Sequence, residues 1–166
     1  MAHPNSLHGI DKSGRRKPVV SAQGYELCER HILELSRIFF VSFGQPETQF
    51  WMKAFCWAEK LYPAPAGATV AQAVLRMLNE MRTARPHTFK YTDPRCVNCS
   101  AFMTSEEKYM MDMLCHLRKN AGAKAHLSAM LLCEGSDPTA LLAAGRNLVA
   151  VINEHCLADV HKAQLH

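Results

Sequence analysis

Apolar residues recur at three- and four-residue steps along most of this chain, a period that buries one face of an α-helix and no face of a strand. Tyr25, Cys28, Ile32, Leu35, Phe39 and Phe43 form the first stripe, and Gly44 with Pro46 supply its stop. Pro46 suits the first turn of a second helix, in which Phe50, Ala54, Trp57, Ala58 and Leu61 share a face until Pro63 and Pro65 break the chain. Thr69 is placed to cap a third helix with Val70, Val74, Met77, Leu78 and Met81 inward, ended by Pro86. Thr104 to Glu107 reads as a capping box, and it opens a fourth helix through Met110, Leu114 and Leu117. Asn120 to Gly122 either ends that helix or marks a weak point in one that runs on to Cys133. Asp137 and Pro138 open the last helix, which turns Leu141, Leu142, Leu148, Val149 and Ile152 to the core.

The pattern predicts an all-α fold: a single-domain helical bundle of five to six helices with one long Cys-containing loop, His87 to Phe102. The one place for a short strand is His87 to Thr92. With 166 residues, 48% of them hydrophobic, the chain suits one core. Lys12, Arg15, Arg16 and Lys17 against Asp11 give residues 1–20 a net +3 of the whole chain's +4. That segment reads as a disordered basic arm, and residues 21–166 as the helical domain. The near-neutral body argues against a nucleic-acid groove, leaving only the arm to touch one. No apolar run approaches the ~18 residues of a membrane span, and no apolar segment follows the basic N-terminus as in a secretory signal. A cytoplasmic protein is expected. Seven cysteines, an odd number, then fit reduced thiols, metal ligation or redox chemistry better than a disulfide framework.

Cys96-Val-Asn-Cys99 is the strongest local signal, because two thiolates in a tight turn converge on one tetrahedral metal. A structural site needs more ligands, and the downstream candidates are Cys115 and Cys133. If the chain turns at Asn120 to Gly122, the two helices run antiparallel and Cys133 returns beside Lys108, near the CxxC loop. Cys115 would stand about 16 Å along the axis from Thr104. Cys96, Cys99 and Cys133 are the first choice of ligands, with Cys115 replacing Cys133 if the helix is continuous. Cys28 with His31, or His155 with Cys156, would supply missing ligands, and Cys115 with His126 would form a minor second pair. Zinc and an iron–sulfur cluster fit these thiolates equally. Met103, Met110, Met111, Met113 and Met130 crowd the same region as core filling, a partner-binding face, or soft ligands for Cu(I).

Nucleotide-binding, metalloprotease and hydrolase signatures are absent, and no carboxylate pair stands out for acid–base work. Glu26, Glu29 and Glu34 read as the solvated face of the first helix. The leading expectation is a non-enzymatic metal-binding protein, holding zinc or an iron–sulfur cluster, with a regulatory, sensory or accessory role and a protein partner. Two alternatives stand beside it. One is a thiol redox module in which Cys96 and Cys99 cycle, with Arg95 and the nearby helix N-terminus favouring the thiolate. The other is a metal-free helical interaction domain.

Overall fold

In the computed structural model, which describes residues 9–10 and 14–163 (156–163 by backbone alone), the periodic segments fold as seven α-helices. These are α1 (Leu27–Gly44), α2 (Phe50–Leu61), α3 (Ala66–Ala84), α4 (Val97–Ser100), α5 (Ser105–Arg118), α6 (Gly122–Leu132) and α7 (Thr139–Ala163). The all-α bundle is as expected. The extra helix, α4, is a single turn inside the Cys-containing loop. Among the described residues there is no strand, only the isolated bridges Ile10 to Arg16 and Val19 to Phe102.

The helix ends show which local rules act. At α5, Thr104 Oγ1 accepts from Glu107 N at 3.0 Å and Glu107 Oε2 accepts from Thr104 N at 2.9 Å, completing the capping box. Asn120 takes a left-handed φ of 54°, so the chain turns there and α6 folds back on α5 as a hairpin. Asp137 Oδ1 accepts from Thr139 N at 3.0 Å to start α7. Three starts differ from expectation. Helix α1 begins after Glu26, where Glu26 and Glu29 form a second capping box, and Tyr25 instead lies buried before it with its hydroxyl 2.9 Å from Asp112 Oδ1. Pro46–Thr48 is a separate 3-10 turn, because Gln49 at φ 51° re-aims the chain before α2. Helix α3 starts at Ala66 rather than after Thr69, and Gly67 lets it lie against α2: a Cβ there would meet Glu59 Cα at 2.6 Å.

Helices α1, α3, α5 and α7 enclose the core, with α2 bridging α1 and α3. Ile32, Leu35, Phe39, Met77, Leu78, Met81 and Leu148 are fully buried there. Met103, Met110, Met111 and Met113 are buried as well, so these four methionines fill the core rather than forming a surface, while Met130 on α6 is partly exposed. Glu29, expected on a solvated face, is 3% exposed and accepts from Arg118 Nη1 at 2.9 Å. No described helix is long and apolar enough to cross a membrane. Of the expected arm, residues 1–8 and 11–13 lie outside the described residues. Its last part runs along the Cys-containing loop: Met103 N donates to Pro18 O at 2.8 Å and Val20 N to Ala101 O at 2.9 Å.

Candidate functional site

The loop that carries the CxxC is held by aromatic stacking at its start and a buried ion pair beneath its end. Phe89 and Tyr91 stack on Phe40 of α1, with ring centroids 4.3 and 5.3 Å away. Asp93 then turns the chain: its carbonyl accepts from Cys96 N at 3.1 Å, and its carboxylate takes the Arg95 guanidinium at 2.8 Å. That guanidinium holds the Asp93 carboxyl below the usual carboxylate range. Cys96 O accepts from both Cys99 N and Ser100 N at 3.0 Å, which winds α4.

One helical turn places the two cysteine Cα atoms 5.2 Å apart, within disulfide reach, and their sulfurs are bonded to each other. Val97, between them, is 84% exposed. The site therefore sits on a solvent-facing turn.

Beneath this turn lies Arg37 of α1. Its Nε donates to Glu107 Oε1 at 2.7 Å, Nη1 to Ser100 O at 2.8 Å, and Nη2 to Phe102 O at 2.6 Å and Glu107 Oε2 at 3.1 Å. Glu107 also accepts from Thr92 N at 3.0 Å and Thr92 Oγ1 at 3.1 Å. One buried pair thus fixes both flanks of the cysteine turn, Thr92 before it and Ser100 to Phe102 after it. The side chains of Arg37 and Glu107 are 4% and 0% exposed, so these bonds form in a low-dielectric setting.

The expected ligand set does not assemble. Among the described residues no group of three or more His, Cys, Asp or Glu side chains is placed to hold a metal ion. This overturns the expectation of a metal-binding protein built on Cys96, Cys99 and Cys133 or Cys115. Cys133 is buried at the end of α6 next to Arg85, whose guanidinium hydrogen-bonds the Leu132 carbonyl and Glu134, and burial pushes its thiol pKa up. Cys115 lies half-buried along α5, near the Lys119 ammonium. Cys28 is buried in the core, and His31 packs edge-on against Tyr62 with ring centroids 5.8 Å apart. His126 is exposed on α6, while the side chain of Cys156 lies outside the described residues.

Arg95, expected to favour a thiolate, is committed to Asp93 and to Gln45 Oε1 at 3.3 Å. Sequence reasoning missed Arg37, Glu107 and Thr92 as a unit. A signal exists for the first: Arg37 shares the buried stripe of Leu33, Phe40 and Val41, where a cation needs a partner. No known family model, curated protein or solved structure matches the chain.

Proposed function

We propose that the protein is a thiol–disulfide redox module in which Cys96 and Cys99 cycle between a disulfide and a dithiol. The bond between these two cysteines on an exposed turn carries the reading. A thiolate of a protein partner attacks one sulfur of the pair, forming a mixed disulfide and releasing the other sulfur as a thiolate. A second thiol of the partner then attacks its own sulfur in the mixed disulfide. The partner leaves oxidised by two electrons, and this chain holds two thiols with the two protons the partner gave up.

The Arg37–Glu107 pair supports this cycle from below. Its hydrogen bonds to Ser100 O, Phe102 O and Thr92 involve no sulfur, so opening the disulfide leaves the flanks of the turn fixed and the thiols close enough to re-form it. A partner gains apolar contact from the start of α2, where Trp51 and Met52 are exposed and Phe50 lies 5.7 Å from the Arg95 guanidinium.

Equilibration in thiol buffers of graded potential, with the thiols counted by alkylation and mass, tests the proposal. The expected result is one two-electron transition with a midpoint between about −120 and −270 mV, the span of exchange-active pairs. It is abolished by Cys96→Ser and unchanged by Cys56→Ser. A midpoint below about −300 mV marks a structural disulfide and overturns the reading.

A further inference from the structure

The end of α1, the end of α3 and the segment that leads into the cysteine loop enclose a cleft of about 330 Å³. Phe40 and Phe43 of α1 line it with Phe89 and Tyr91 of the segment, and Arg82 and Thr88 supply polar groups. We propose that this cleft binds a small aromatic carboxylate, one or two fused rings bearing a single acid group.

Local sequence builds the cleft. Pro86 cannot continue α3, so Arg85 leaves the helix in extended backbone, at φ −88° and ψ 134°, and the chain returns along the end of α1. There Phe89 and Tyr91 both stack on Phe40, which fixes the aromatic lining. Gly44, the last residue of α1, leaves the space open beside them: a Cβ at this position would meet only Tyr91 Oη, at 3.9 Å. A larger side chain at Gly44 would occupy the cleft.

Polar groups at the cleft select an acid. The Arg82 guanidinium lies over the Phe43 ring, 4.0 Å from its centroid, and the ring shares its charge but offers no oxygen to its N–H donors. Among the described residues Arg82 has no salt bridge, and the hydroxyls of Thr88 and Tyr91 have no hydrogen-bond partner. A carboxylate has two oxygens for the guanidinium fork and lone pairs left for a hydroxyl. Burial raises the pKa of Tyr91, which keeps its hydroxyl a donor. Arg85 and His87 also line the cleft, but Glu134 takes both, at 2.7 and 2.8 Å, so the acid group goes to Arg82. The four rings then favour an aromatic body, through offset and edge contacts that a saturated ring cannot make. The volume lies at the lower end of the range of about 300–1,000 Å³ usual for small-molecule sites, which suits one or two rings better than a nucleotide. Neither Cys96 nor Cys99 lines the cleft, so this site operates whatever the fate of the thiol chemistry.

NMR titration of the full chain with 2-naphthoate, its uncharged amide and its saturated decahydro analogue is the test. 2-Naphthoate is expected to bind with a Kd tighter than about 500 μM, the amide at least about tenfold more weakly and the saturated acid at least about fivefold more weakly. Arg82→Gln, at an exposed position, should weaken 2-naphthoate at least about tenfold and leave the amide within about twofold, a split that a loss of fold would not produce. Gly44→Leu should weaken 2-naphthoate at least about tenfold by filling the cleft, whereas Arg76→Gln, exposed on α3 outside it, should change binding by less than about twofold. In the unmodified protein, the naphthyl protons should show Overhauser contacts to the rings of Phe43 and Tyr91, a readout that needs no variant. Equal binding of the acid and its amide, equal losses from Arg82→Gln and Arg76→Gln, or contacts to Trp51 and Met52 of α2 in place of Phe43 and Tyr91 would each overturn the proposal.

Discussion

Replacing Arg37 by Met tests whether one buried ion pair holds the cysteine turn. Methionine keeps most of the side-chain volume in α1 but removes the donors to Glu107, Ser100 O and Phe102 O. Glu107, fully buried, is left with neutral donors from Thr92 and Thr104. Breaking a buried pair on one side costs about 3–5 kcal/mol, because a charge is stranded without its counter-charge. The freed Ser100 carbonyl sits near the surface and can hydrate, so it adds little. In a chain of this size each kcal/mol lowers Tm by about 2–4 °C, which gives an expected fall of about 6–20 °C by calorimetry or circular dichroism. Pairing Arg37→Met with Glu107→Gln removes the stranded charge while keeping a carbonyl acceptor, so the double variant should recover at least about 1 kcal/mol against the sum of the singles. Limited proteolysis should cut the single Arg37→Met variant between residues 93 and 103. A loss below about 1 kcal/mol, or strict additivity, would refute the assignment of Arg37 and Glu107 as the support of the turn.

Gly67→Ala should cost about 2–3 kcal/mol in urea denaturation, since the new Cβ would meet the backbone of α2 at Glu59. Gly145→Ala, whose Cβ would meet only the flexible ends of Leu117 and Met113 at 2.9 and 3.4 Å, should stay within about 1 kcal/mol because the gain in helix propensity offsets the crowding. Burial lowers the pKa of His31, so the folded state binds fewer protons there than the unfolded chain. The stability it contributes is complete above about pH 6.5 and declines as pH falls below that value. His31→Phe should flatten the stability curve between about pH 7 and 5, and an unchanged slope would refute the assignment. Among the free thiols of the native protein, exposed Cys56 should alkylate at least about tenfold faster than Cys133, which is buried with its thiol pKa pushed up. Comparable rates in a timed mass assay would show that Cys133 is accessible.

What could be read from the sequence was what local chemistry decides. Thr104 with Glu107 and Asp137 before Thr139 each act within four residues, and each appears in the fold where the pattern placed it; at Asn120 to Gly122, where the pattern allowed either a break or a continuous helix, the chain breaks. The start of α1 escaped because its capping box uses glutamate at the cap, a residue less typical there than Ser, Thr, Asp or Asn. The start of α3 escaped because the crossing of α2 over Gly67, not a cap at Thr69, positions that helix. At the candidate site the CxxC was plain, but its support spans 70 residues from Arg37 to Glu107. Glu107 had also been accounted for by its capping box, which hid its second role: a carboxylate has lone pairs enough to cap its own helix and bind a guanidinium besides.

The failure of the metal site has its own geometric cause. Of the two alternatives open at Asn120 to Gly122, the hairpin forms, and with it the return of the chain toward the start of α5. Antiparallel pairing fixes only how far along the partner a residue lies, however, and not the direction in which its side chain leaves the axis. Cys133 falls where α6 ends and packs toward Arg85 at the end of α3. Cys96 precedes α4 and Cys99 lies on it, above the middle of α1 through Arg37. Two thiolates alone leave a tetrahedral ion half its ligands short. A CxxC wound into one helical turn brings the same two sulfurs within bonding distance of each other, and among the described residues no third ligand stands beside them, which is the arrangement the proposed two-electron cycle uses.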